Sequence, residues 1–66
     1  MKVFVNNKEI ELIHGNTVAD LAEQLSLPEH GVAIAVQNHM IPRSEWSTNE
    51  LQEGASLVII KAACGG

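Results

Sequence analysis

The chain has 66 residues, a formal net charge of −4 at pH 7 from eight acids against four bases, and a single cysteine. At this length it reads as one domain, residues 1–66, near the lower size at which a core can be buried without help, because such a chain hides only roughly 60 % of its unfolded surface. The acidic balance speaks against a nucleic-acid partner, which needs clustered Lys and Arg, one thiol allows no internal disulfide, and no apolar run is long enough to span a membrane as a helix.

His14, His30 and His39 lie far apart with no second thiol to complete a zinc-like set, so no metal is expected. The lone thiol and the lack of a basic, apolar leader are read as a reducing, cytoplasmic setting for a chain that starts at Met1. Met1 to Asn6 alternates, with Val3 and Val5 on one side and Lys2 and Phe4 on the other, the period of a half-buried strand. Asn6-Asn7-Lys8 carries turn residues, and Glu9 to Ile13 alternates again with Ile10 and Leu12 on one side, so the two runs predict a hairpin.

His14-Gly15-Asn16 breaks that pattern. Thr17, followed three residues later by Asp20, predicts a helix start in which the hydroxyl accepts from the N3 amide and the carboxylate lies in the first turn. Val18, Leu21, Ala22 and Leu25 recur at i, i+3, i+4 and i+7, an apolar stripe that leaves Asp20, Glu23 and Gln24 to solvent. Leu27-Pro28 ends the helix, because proline disfavours helical geometry in the residue before it.

Gly31 precedes Val32-Ala33-Ile34-Ala35-Val36, a continuous apolar run suited to an interior strand. Asn38-His39 is the expected turn after it, and Met40-Ile41 a short return stopped by Pro42. Arg43 to Trp46 reads as a turn or single helical loop, with Trp46 either closing one end of the core or contacting a partner. Glu53-Gly54 predicts another turn and Leu57 to Ile60 the last strand.

This order predicts an α+β fold, one helix packed on a mixed sheet of four to five strands. One helix covers one face of a sheet, so the other is wet or taken by a partner. If Val3, Val5, Leu57 and Ile59 face the helix, then Phe4, Val58 and Ile60 face away. They form one docking patch only if the first and last strands are neighbours. The chain then runs out in Cys64-Gly65-Gly66. Residues 62–66 are read as a flexible tail, thin enough at its glycines to thread a channel and present the Gly66 carboxylate, with Gly65 and Cys64 as the presenting residues. Taken alone, the dipeptide also fits a frayed end without a role.

Val3 to Asn6, Thr17-Val18 with Leu21 and Leu25, the stretch Asn38 to Arg43 leading to Trp46, and the terminal Gly65-Gly66 together resemble the ubiquitin-like β-grasp family over the whole chain. Within it they are most similar to the ThiS sulfur carriers of thiamine thiazole biosynthesis, the Ile41-Pro42-Arg43 stretch with Trp46 tilting the likeness away from the small subunit of molybdopterin synthase. The resemblance implies a carrier that is not an enzyme and holds no cofactor. An ATP-dependent adenylyltransferase of the ThiF type would convert the Gly66 carboxylate to an acyl adenylate. A persulfide from a sulfur-donor enzyme would replace AMP, and the Gly66 thiocarboxylate would pass to a thiazole synthase of the ThiG type. A sulfur carrier of molybdopterin synthesis, a ubiquitin-like protein modifier and a pure interaction domain stand as alternatives, distinguished by the fate of the tail. Two positions depart from the family's usual pattern. Gly54-Ala55 replaces a Gly-Asp turn, and Cys64 replaces a small residue without a thiol. Two readings of Cys64 stay open, a small side chain or a thiol that traps or shields the terminal sulfur.

Overall fold

Asn6 and Asn7 sit at φ 52° and 67°, the left-handed pair that a two-residue hairpin needs to match the right-handed twist of its strands. They join β1 (Lys2–Val5) to β2 (Lys8–Glu11), antiparallel, with Val3 opposite Ile10 and Val5 opposite Lys8. The computed structural model describes residues 1–28 and 30–61. Lys8 is therefore a strand residue rather than part of the turn, and β2 stops short of the expected Ile13. The cause is Gln24 at the end of the helix, whose Oε1 accepts from the Ile13 amide at 2.9 Å and whose Nε2 donates to the Glu11 carbonyl at 2.7 Å. Those contacts take the chain out of strand pairing and tie it to the helix.

A second hairpin uses the same device. Gln37 and Asn38, at φ 52° and 70°, connect β3 (Val32–Val36) to β4 (His39–Met40), with Val36 opposite His39 and Ala35 opposite Met40. The turn thus falls one residue earlier than Asn38-His39, because Gln37 adopts a left-handed conformation uncommon for its type. Its contacts with Ser56 offset the strain: the Gln37 amide donates to the Ser56 carbonyl at 2.9 Å, and Oε1 accepts from the Ser56 amide at 2.7 Å.

The last strand, β5 (Ser56–Lys61), inserts between the hairpins, parallel to β1 and antiparallel to β3, giving the order β2-β1-β5-β3-β4. The first and last strands are neighbours, and the sheet is mixed and five-stranded. One helix, α1 (Val18–Gln24), packs across it, and the architecture is β-grasp-like. Val3, Val18, Leu21, Ile34 and Leu57 are fully buried between the layers. After the short 3₁₀ turn Arg43–Glu45, Trp46 closes the core as buried filler, its indole Nε1 donating to the Ile41 carbonyl at 2.9 Å and the Arg43 guanidinium stacked 4.3 Å from its ring centre.

The helix starts where Thr17 and Asp20 predict. Thr17 Oγ1 accepts from the Asp20 amide at 3.1 Å, and Asp20 Oδ2 accepts from the amides of Thr17 and Asn16 and from the Thr17 hydroxyl, at 3.1, 3.0 and 2.8 Å. Gly15, at φ 78°, lies so close that a Cβ there would collide with the Asp20 carboxylate. Only glycine satisfies both the backbone and the space.

Two outcomes follow from this packing. Leu21→Ala, which empties the centre of the helix–sheet layer, is expected to cost about 2–5 kcal/mol in chemical denaturation. The Thr17 hydroxyl and then the Thr17 amide hold the Asp20 carboxyl below the usual carboxylate range. A carboxylate depressed in the folded state lends stability that is complete above its unfolded pKa, about 3.9, and is lost as pH falls through the folded value. Wild type should therefore lose more stability than Asp20→Asn between neutral pH and pH of about 2–3, read as the change in denaturation midpoint.

Candidate functional site

The face of the sheet away from the helix carries the feature that the core does not need. Along β1 and β5 alternate residues point outward: Phe4 stays 39 % exposed, Val58 44 % and Ile60 54 %. Phe4 is opposite Ser56 in the parallel register, so Val58 is its diagonal neighbour. Diagonal positions stand within reach of an aromatic ring. Val58 is opposite Ala35 and Ile60 opposite Ala33. The three residues picked out by strand parity therefore lie on one surface.

That surface extends further than parity in β1 and β5 indicates. Ala35 is also opposite Met40, which is 61 % exposed and continues the apolar row across β4. Four of the five large exposed apolar side chains among the described residues, Phe4, Met40, Val58 and Ile60, thus share one face. Ala33 and Ala35 form a low floor between the larger side chains. Met40 could have been found by carrying the alternation through β3 and around its hairpin, which puts Ala33, Ala35 and Met40 on one side. The continuous apolar run Val32–Val36 hides that alternation.

The border of the patch is charged along β2, where Glu9 lies opposite Phe4 and Glu11 opposite Lys2. Lys2 Nζ approaches Glu9 Oε2 to 3.3 Å, both side chains being more than half exposed. An exposed pair of this kind adds little to stability, and Glu11 is matched in turn by the Met1 ammonium at 2.7 Å, so both acids of this edge are paired. Among the described residues, no three His, Cys, Asp or Glu side chains come together as a metal ion would require.

The same strand that carries Val58 and Ile60 leads to the C-terminus. β1 and β5 are joined by the Phe4 amide donating to the Ala55 carbonyl at 2.8 Å and the Asn6 amide donating to the Leu57 carbonyl at 2.9 Å. Asn6 adds its side chain, Oδ1 accepting from the Ile59 amide at 2.9 Å and Nδ2 donating to the Ile59 carbonyl at 3.3 Å. Lys61 is the end of β5. Cys64, Gly65 and Gly66, and with them the tail expected over residues 62–66, lie outside the described residues.

The family model described as ThiS matches residues 3–66. The chain belongs to the ThiS family. The match begins in β1 and continues through both terminal glycines, so it includes the strands of the patch and the end of the chain. A curated relative, the sulfur carrier protein ThiS of Escherichia coli strain K12, is 29 % identical over 66 residues, which is 100 % of each chain. The fold has a solved counterpart in the crystal structure of the thiamine biosynthesis protein ThiS from Geobacter metallireducens, with a TM-score of 0.79, 17 % identity and full coverage of both chains. The five-stranded mixed sheet with one helix is thus a ThiS-type fold.

The assignment of the two faces predicts opposite behaviour for adjacent residues. Val58→Ser, on the open face, should leave the denaturation midpoint nearly unchanged, within about 0.5 kcal/mol. Leu57→Ala, one residue earlier and fully buried, should cost about 2–5 kcal/mol in the same measurement.

Proposed function

We propose that this chain is a sulfur carrier of thiamine biosynthesis, which holds sulfur as a thiocarboxylate on Gly66 and docks on its partner enzymes through the face formed by Phe4, Val58, Ile60 and Met40. The observation that carries the reading is the ThiS-family match running from Val3 through Gly66. The curated relative that bears the name of a sulfur carrier, matched end to end, supports it.

The chemistry assigns different work to the two ends of β5. A carboxylate is a poor acceptor for sulfur because its leaving group would be oxide. An ATP-dependent adenylyltransferase removes that barrier: a Gly66 carboxylate oxygen attacks the α-phosphorus of ATP, pyrophosphate leaves, and AMP becomes the leaving group. The outer sulfur of a persulfide on a sulfur-donor enzyme then attacks the carbonyl carbon and expels AMP. A thiol then attacks the donor-side sulfur of the resulting acyl disulfide, forming a new disulfide with it and releasing the thiocarboxylate on Gly66 for a thiazole synthase. In this scheme the catalytic groups and the ATP site belong to the partners, and the chain contributes a terminal carboxyl, a narrow approach through Gly65, and a head that both enzymes can hold. Cys64 enters no step, and its replacement by Ser is expected to leave loading unchanged under reducing conditions.

Adding one residue after Gly66 should abolish ATP-dependent sulfur loading, read by intact mass as loss of the oxygen-to-sulfur exchange, while the folded head keeps its melting temperature. An extended chain that still gains sulfur at its end would overturn the reading. An isopeptide bond to lysine in place of a thiocarboxylate would identify a protein modifier. Phe4→Ala should weaken binding to the adenylyltransferase by about 1–2 kcal/mol, as expected for an anchor near the centre of an interface, and change thermal stability little.

A further inference from the structure

The chain holds two methionines, and the carrier chemistry uses the sulfur of neither. Met1 is partly buried and packs against the core. Met40 is 61 % exposed, the most open of the four large apolar side chains on the outer face. Its backbone is fixed there: Met40 pairs with Ala35, and the next residue, Ile41, donates its amide to the Ile34 carbonyl at 2.9 Å. The thioether is therefore carried at a set place on the sheet while its side chain stands open to solvent.

A thioether is the one group among these four that a mild two-electron oxidant changes. The sulfur lone pair attacks one oxygen of hydrogen peroxide, the S–O bond forms as the O–O bond breaks, and the other oxygen leaves as water. Phe4, Val58 and Ile60 offer no such atom. The product is a polar, chiral sulfoxide, and a methionine sulfoxide reductase returns it to the thioether. The neighbouring outward positions supply no hydrogen-bond donor to meet the new oxygen. Ala35 on β3 lies opposite Met40, and Val58 on β5 lies opposite Ala35. In water the oxygen is solvated. Covered by a partner, it becomes a buried polar atom with no hydrogen bond from this chain, which opposes binding.

The fold has no stake in that sulfur. Met40 lies outside the core, whose buried residues among those described are Val, Leu, Ile, Ala and Trp, all without sulfur. A change at Met40 therefore reaches the outer face and leaves the helix–sheet packing as it was.

We propose that Met40 is a reversible redox modification site, at which oxidation to the sulfoxide turns off docking of the adenylyltransferase on the face formed with Phe4, Val58 and Ile60. This rests on the carrier reading above. A leucine at the same place would fill the apolar row at similar volume, so the feature that methionine adds is its sensitivity to an oxidant.

The test treats the wild-type chain with dilute hydrogen peroxide and then with a thiol reductant, which restores a disulfide or sulfenic acid at Cys64 but leaves a methionine sulfoxide in place. Peptide mass mapping should find the added oxygen on Met40 before Met1. The dissociation constant for the untreated cognate adenylyltransferase should rise by roughly tenfold or more, with the melting temperature of the oxidised chain unchanged. Incubation with methionine sulfoxide reductases should remove the oxygen and restore the affinity together. Met40→Leu, whatever its starting affinity, should bind equally before and after peroxide. Oxidation of Met1 in preference to Met40 overturns the proposal, as does a Met40 sulfoxide that binds as tightly as the thioether. A loss of affinity in peroxide-treated Met40→Leu as large as in wild type overturns it too, and a melting temperature that falls along with the affinity assigns the loss to the fold and does the same. The docking reading has its own control. If untreated wild type does not bind, or Phe4→Ala binds as tightly as wild type, that reading falls and takes this proposal with it; if Phe4→Ala weakens binding and the sulfoxide does not, the proposal alone falls.

Discussion

The parallel pairing of the first and last strands is the constraint on which the rest of the structure depends. Antiparallel neighbours can be joined by a two-residue turn, whereas parallel neighbours require a crossover. Everything between β1 and β5, including the helix and the second hairpin, serves as that crossover. The Phe4–Ala55 and Asn6–Leu57 hydrogen bonds close it over almost the full length of the chain. Closing so long a loop costs entropy that grows only slowly with its length, and the buried contacts of Val3 and Leu57 against Leu21 and Ile34 are placed to offset it. The last strand becomes the central one of the sheet.

A sheet with one helix has two faces under different demands. The inner face carries stability, and its residues answer to the volume between helix and sheet. The outer face is relieved of that demand, so Phe4, Met40, Val58 and Ile60 need not fit the core. Their side chains contribute little to folding yet remain apolar, with Ala33 and Ala35 keeping the surface between them low. Successive residues of β5 alternate between the faces: Leu57 and Ile59 hold the head together, and Val58 and Ile60 stand open to solvent. Residues on the open face can therefore change without loosening the fold.

Much of this architecture is legible in the sequence where one local signal decides it. The alternation of Lys2 to Val5 defines β1, and Thr17 with Asp20 defines the start of the helix because the capping geometry is contained within four residues. Other features are tertiary and leave only faint local marks. Glutamine is not a turn former, so the left-handed Gln37 that moves the second hairpin is visible only once Ser56 lies beside it. Ile13 reads as strand until Gln24 claims its amide. Met40 joins the outer face through a register that the uniformly apolar β3 conceals. Asn6-Asn7 announces a turn, but nothing nearby in the chain announces Ile59.

The two turn residues that escape local reading solve a problem that hydrophobicity leaves open. In a strand that alternates apolar and polar residues, a slip of one position moves the core set to solvent and is forbidden by burial. Leu57-Val58-Ile59-Ile60 is apolar throughout, so burial alone discriminates poorly between Leu57 with Ile59 inward and Val58 with Ile60 inward. Hydrogen bonds from fixed points discriminate well. Gln37 engages both backbone groups of Ser56 at the start of β5, and Asn6 engages both backbone groups of Ile59 near its end. Each comes from the first turn residue of a hairpin flanking the strand, where a left-handed backbone aims the side chain at the neighbour. A one-residue slip would present the wrong carbonyls and amides to both. The polar side chains of two turns thus select the register that separates the buried face from the open face.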